Sequence, residues 1–234
     1  MNISPIFEMP FLTEKVRLTI LPLVPLSMVS EMPGSYYRSD VKPSKFHLCG
    51  LLENLLGWHI SNEDRIAILK EVGKNYKKNY KITDFKSAIS NSGYIPLIYN
   101  LFEVKLSMTS TPIHYDDIWK KAYRRVDAIV HPNGTPNIDH DLIIVKRSIK
   151  RKEDKPQQVD DKEMEKLFKS NLGKFPYYYS TVSKREYLKF DSTIQIALDM
   201  QKGIYDLLEQ SIEVNNLMYL GTSDGWIDVK IETL

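Results

Sequence analysis

Apolar residues Val16, Leu18 and Ile20 alternate with Arg17, Thr19 and Leu21, the period of two that predicts a strand with one well-buried face. The segment that follows, PLVPLSMVSEMPGSYYRSDVKP, is punctuated by Pro22, Pro25, Pro33 and Gly34, which rule out a regular helix and predict a long shaped loop. The spacing then becomes helical. Leu48, Leu51, Leu52, Leu55 and Leu56 fall at i, i+3, i+4, i+7 and i+8, Ser44 stands where an N-cap belongs, and Gly57 marks the stop. Gly50, inside that stripe, costs about 1 kcal/mol relative to alanine, which predicts that another backbone packs close to it. A second helix is expected from Ser61, with Asp64 completing an approximate capping box; its far end is both basic and aromatic, with Lys74, Tyr76, Lys77, Lys78, Tyr80 and Lys81.

Alternation returns at Phe102, Val104 and Leu106, with Glu103 and Lys105 between them, and predicts another strand. Residues 109–160 mix basic clusters, turn signals and one short apolar run, Leu142 to Val145, a pattern that cannot bury a core alone and suggests a protruding arm or hairpin. A helix is expected from about Asp161 to Leu172, with Met164, Leu167 and Phe168 inward. The last quarter reads strand, strand, helix, strand, strand. Arg185 to Phe190 and Thr193 to Leu198, linked by Asp191-Ser192, suit a hairpin. Ile204, Leu207, Leu208 and Ile212 form a helical stripe, and Met218 to Leu220 and Trp226 to Ile231 are strands joined by a turn that begins at Gly221 and ends at Gly225. Two βαβ-like passages around a long insertion predict an α+β fold in one domain, its core at about 11–60 and 185–234 and an insertion at about 106–184.

Composition narrows the classes without choosing among them. At 234 residues the chain is long enough to bury a core without a metal or disulfide staple. With 32 Lys and Arg against 30 Asp and Glu, attraction to nucleic acid has to come from local clustering, not from bulk charge. The single cysteine, Cys49, excludes an internal disulfide and a cysteine zinc cage, and its place in an apolar helix favours an unreactive core role. Apolar runs far below the ~20 residues of a membrane helix, and an N-terminus without the features of a secretory signal, lead to the expectation of a soluble, cytoplasmic protein with no membrane partner. Neither GxGxxG nor GxxxxGK[ST] nor GxSxG occurs, which argues against dinucleotide enzymes, ATPases and serine hydrolases, and no cofactor is expected.

The candidate chemistry lies in basic clusters. Tyr36, Tyr37, Arg38, Lys42, Pro43, Ser44 and Lys45 lead into a helix start, where free N–H groups and the helix dipole favour phosphate and the tyrosines offer rings for bases. A capped helix with solvated lysines is the plain alternative. Lys120, Lys121, Arg124 and Arg125 with Trp119 and Tyr123, and Lys146, Arg147, Lys150, Arg151 and Lys152, suit an arm that tracks a phosphate backbone, or simply a solvated face. His114 with Asp116 and Asp117, and His131 with Asp139 and His140, include metal-ligand residue types but match no helical ligand spacing, so no metal site is assigned.

The early strand, the proline-rich loop with Arg38, the string Lys42-Pro43-Ser44-Lys45 and the run from Gly50-Leu51-Leu52 to Leu56-Gly57 resemble the start of the CRISPR-associated proteins of Cas family five. Arg185-Glu186-Tyr187-Leu188 and Tyr219-Leu220-Gly221 fall in the order of that family's later signatures, so the resemblance covers both ends of the chain. It implies a RAMP-type, ferredoxin-like (RRM-type) core with a projecting thumb. It also implies a non-catalytic subunit of a type I Cascade surveillance complex in antiviral defence, holding the 5′ handle of the crRNA beside backbone and large subunits, with target DNA near the PAM as a further candidate partner. On that basis Arg38, Lys42, Ser44 and Lys45 contact handle phosphates, and the loop of Gly221, Ser223 and Gly225 lets backbone approach the RNA, although Asp224 is ill suited to a phosphate. One branch of the family cleaves precursor crRNA without metal, for which Tyr36, His114 and Lys120 are the candidates here. A protein-binding scaffold without RNA contact is the third reading.

Overall fold

The structure is a computed structural model and describes residues 1–31, 36–119, 122–123, 141, 144–145, 148–149, 151–152, 155–159, 161–171, 178–179 and 183–234. In chain order its elements are strand β1 (Leu12–Pro22), strand β2 (Tyr36–Tyr37), helices α1 (Lys45–Leu55) and α2 (Asn62–Asn75), and strands β3 (Phe102–Met108) and β4 (Ile113–Trp119). There follow β5 (Ala122–Tyr123), β6 (Arg151–Lys152), β7 (Lys155–Val159), α3 (Asp161–Ser170), β8 (Tyr178–Tyr179), β9 (Ser183–Lys189), β10 (Ile194–Gln201), α4 (Lys202–Val214), β11 (Leu217–Tyr219) and β12 (Trp226–Thr233). The chain divides into two compact units, Met1–Asp117 with Lys184–Leu234, and Ile118–Ser183. Among the described residues no helix is long and apolar enough to cross a membrane.

The first unit is built on an antiparallel sheet ordered β11-β12-β1-β10-β3. Alternation explains its two faces. Val16, Leu18 and Ile20 of β1, Ile194, Ile196, Leu198 and Met200 of β10, and Ile227 and Val229 of β12 are all buried, while Lys15, Arg17, Lys230 and Glu232 face solvent. Leu48, Leu51, Leu52 and Leu55 of α1 and Ile204, Tyr205 and Leu208 of α4 join that apolar face in one core. The arrangement is thus mixed α+β on an antiparallel main sheet, as the alternating passages predict. Cys49 is fully buried in α1, and burial pushes its thiol well above the ordinary range.

Three expectations are corrected. The Arg185–Leu198 hairpin does not form: β10 has both edges occupied, by β1 and β3, and β9 belongs instead to a small sheet ordered β2-β9-β4. Leu106 is about half exposed at 53%, because a register shift pairs Ala197 with Leu106 but Leu198 with Val104, leaving Lys105 as the extra residue of a bulge that turns Leu106 outward. No backbone packs on Gly50; a Cβ there would meet nothing within 4 Å.

In the second unit, β5 pairs antiparallel with β8 and β6 with β7, and α3 follows β7 directly. Lys169 and Glu165 form an exposed pair at 2.7 Å on α3.

Candidate nucleic-acid interface

The start of α1 is built as the Ser44 spacing predicts, with one addition. Ser44 Oγ accepts the His47 N–H at 3.3 Å, and His47 Nδ1 accepts the Ser44 N–H at 3.2 Å, so histidine takes the place glutamate holds in the usual box. With Nδ1 accepting, Nε2 carries the proton, and it lies 3.4 Å from the Val29 carbonyl. Burial pulls the His47 pKa below its ordinary value, which keeps the ring neutral at pH 7. Lys45 turns inward: its Nζ lies 4.3 Å from the centre of the Tyr99 ring and 5.2 Å from that of Phe102, and burial lowers its pKa. Arg38 and Lys42 remain exposed.

Beside this helix start the chain forms two open clefts, of about 610 Å³ and 340 Å³, which share Phe46, His47, Ser92, Tyr94 and Gly221. Gly50 and Trp58 line the larger one, so the missing Cβ of Gly50 leaves room in a groove and does not admit a neighbouring backbone. Glu53 and Arg65 also line it as a buried ion pair, with side chains 3% and 7% exposed. Glu53 additionally accepts from the Tyr94 hydroxyl at 2.8 Å and the Ile98 N–H at 3.1 Å, while Arg65 donates to the Trp58, Ile60 and Ile95 carbonyls. This network fixes the groove wall, and nothing local in the sequence signals it, since its members come from two helices and the segment after them.

The small sheet carries the remaining predicted tyrosines on opposite faces, because neighbours on a strand alternate. On one face the Tyr36 hydroxyl donates to Asp116 at 2.8 Å, and His114 Nδ1 lies 2.8 Å from Glu186, which also accepts the Ser39 N–H at 2.9 Å. The hydrogen bond to Asp116 is the main cause that raises the Tyr36 pKa. His114 and Asp116 thus pair locally, with Glu186 and with Tyr36.

On the other face, Arg185 lies 5.1 Å from the Tyr37 ring, and Tyr115 and Tyr187 stack with centroids 5.7 Å apart and planes 19° apart. The Tyr187 hydroxyl is 3.4 Å from Asp224, tying this face to the late glycine loop, and burial raises its pKa. Tyr115 is 43% exposed. Neither Tyr115 nor the role of Tyr187 was read from sequence, although the alternation in Ile113-His114-Tyr115-Asp116 is the signal that carried it.

In the glycine loop, Gly221 adopts φ +81°, and a Cβ there would lie 2.3 Å from the Ser27 carbonyl oxygen; at Gly225 it would lie 2.6 Å from that of Leu220. The close approach these glycines allow is therefore to the chain's own backbone. Ser223 is exposed between them. Lys120, Lys121, Arg124, Arg125, Lys146 and Arg147 lie outside the described residues; of the second basic cluster, Arg151 and Lys152 are described, as β6.

A family model described as CRISPR-associated protein Cas5p matches residues 1–231. No curated protein matches the chain. Among solved structures, a chain from a cryo-EM structure of the Type III-B Cmr-beta bound to cognate target RNA aligns at 13% identity and a TM-score of 0.33. The alignment covers 92% of this chain and 64% of that one.

Proposed function

The chain belongs to the family of CRISPR-associated protein Cas5p, and from that membership we propose that it is a non-catalytic RNA-binding subunit that seats the 5′ handle of a crRNA in a type I Cascade complex. The observation that carries the reading is the stacked pair Tyr115 and Tyr187 beside Tyr37 and Arg185. Single-stranded RNA is held by aromatic rings that stack on its splayed bases, with cations on its phosphates; exposed Tyr115 with half-buried Tyr37 and Tyr187 supply the rings, buried Arg185 backs the Tyr37 ring, and exposed Arg38 and Lys42 supply the cations. The strand order β12-β1-β10-β3, with α1 and α2 between β1 and β3 and α4 between β10 and β12, supports a ferredoxin-like core. The partners in this reading are backbone and large subunits, with target DNA near the PAM, in the cytoplasm. The test is fluorescence anisotropy with a labelled handle RNA: Tyr115→Ala with Tyr187→Ala should weaken binding by at least about tenfold, from a stacking value of about 1–3 kcal/mol per base. Unchanged affinity refutes the platform.

A second reading, a metal-independent endoribonuclease that makes the handle, is favoured by one feature. Tyr36 and His114 share a face of the small sheet, and Glu186 orients the His114 ring in the manner of an acid–base pair. Incubating the protein with precursor RNA in EDTA separates the two: a discrete product lost in His114→Ala supports cleavage, and intact RNA supports binding alone.

A further inference from the structure

The end of α2 gathers charge that neither reading uses. Residues 70–86 hold Lys70, Lys74, Lys77, Lys78, Lys81 and Lys86 against Glu71 and Asp84, in a chain whose net charge is +2. All six lysines are exposed. Among the described residues, Lys74 alone of the six pairs with a carboxylate, Glu71 at 2.7 Å.

The backbone fixes how these lysines are presented. After α2 the chain makes one wide π-helical turn over Tyr76–Tyr80. Tyr76 is 1% exposed and donates its hydroxyl to the Ile6 carbonyl at 3.0 Å; the Tyr80 and Phe85 rings meet it edge-on at 6.0 and 5.3 Å. With the rings anchored inward, Lys77 and Lys78 are turned to solvent. Lys81 then closes the turn at φ +58°, the one positive φ outside glycine among the described residues. Glycine or asparagine is the low-strain choice for such a position, and wide π turns recur at functional sites. Complementing the helix dipole accounts for a cation in the last turn of α2, but not for a lysine held in a left-handed conformation beyond it.

We propose that this ridge binds the phosphate backbone of double-stranded nucleic acid without reading its sequence. At about 1.5 Å per residue, Lys70 to Lys81 extends roughly 16 Å, the axial length of about five base pairs. Sites for single strands combine charge with exposed stacking rings, whereas here Tyr76 is buried and the Tyr80 and Phe85 rings pack against the core, so the exposed groups of the segment are its lysines and other polar side chains. That matches a duplex, whose bases are stacked inside and whose phosphates line the surface.

The experiment measures anisotropy with a DNA duplex, an RNA duplex and the single-stranded handle RNA across a salt titration. For the triple variant Lys77→Glu, Lys78→Glu, Lys81→Glu, duplex affinity should fall at least about tenfold and the salt slope by about three units, one per lost phosphate contact, while handle affinity and the melting midpoint stay unchanged. Lys81→Gly should also weaken duplex binding while relaxing the turn, an effect that a purely structural lysine does not produce. Comparing the two duplexes identifies the natural one, and binding of either supports the proposal. Equal duplex affinity in the wild type and the triple variant overturns it, as does a triple variant that loses as much affinity for the handle RNA as for duplex. Because the handle RNA is measured separately, failure here is distinguishable from failure of the handle-binding reading.

Discussion

Replacing Glu53 with alanine tests the wall of the groove most severely. The perturbation removes the carboxylate that faces the Arg65 guanidinium, in a pair whose side chains are only 3% and 7% exposed. Breaking a buried pair by removing one partner costs about 3–5 kcal/mol, because the remaining charge stays buried without compensation. The Tyr94 hydroxyl and the Ile98 N–H lose their acceptor as well, which places the cost at the upper end. For a protein of this size about 2–4 °C of melting temperature accompanies each kcal/mol, so the midpoint should fall by about 8–20 °C. Urea denaturation followed by circular dichroism and by tryptophan fluorescence reads the loss, since Trp58 lies beside Arg65 and is 2% exposed. Adding Arg65→Met to the Glu53→Ala variant should recover about 2 kcal/mol by removing the stranded charge. A loss below about 1 kcal/mol in the single variant, or no recovery in the double, refutes the claim that this pair fixes the wall.

Three other outcomes follow from particular contacts. Gly50→Ala should stabilise α1 by about 0.5–1 kcal/mol, because its Cβ meets nothing within 4 Å; a destabilised variant in chemical denaturation contradicts the open groove. Gly221→Ala should destabilise by at least about 1–3 kcal/mol, since the new Cβ would clash with the Ser27 carbonyl at a left-handed φ, and a melting midpoint equal to the wild type's contradicts this. His47, with its folded pKa below the ordinary value, binds its proton more readily in the unfolded chain, so its contribution is full above about pH 6.5 and is lost as pH falls toward the folded value. Comparing wild type with His47→Gln between pH 5 and 8 should show that loss in the wild type alone; identical pH profiles contradict it.

What the sequence made legible was local. The α1 stripe, the Ser44 cap and the Gly57 stop depend on residues within a turn or two of one another, and the β11–β12 hairpin needs only its glycine turn. Longer-range choices were not legible. A two-residue link such as Asp191-Ser192 fits a hairpin, yet β10 is claimed on both sides by β1 and β3, and nothing local to the link encodes that competition. The extra residue at Lys105 is a property of pairing with β10, so period-two reading places Leu106 on the face of Phe102 and Val104. At the candidate site, Tyr36, Tyr37, Arg38, Lys42 and Ser44 are found near the helix start or on the small sheet, but their directions depended on tertiary structure. Lys45 turns onto the Tyr99 and Phe102 rings, and Tyr36 and Tyr37 part to opposite faces. Tyr115 and Tyr187, more than 70 residues apart, form a platform that no single segment announces.

Photocrosslinking a handle RNA that carries 4-thiouridine, with the modified peptides located by mass spectrometry, tests the handle-binding account most directly. The account predicts adducts at Tyr37, Tyr115 or Tyr187, lost when Tyr115 and Tyr187 are replaced by alanine. Adducts confined to residues elsewhere, unaffected by those replacements, contradict it.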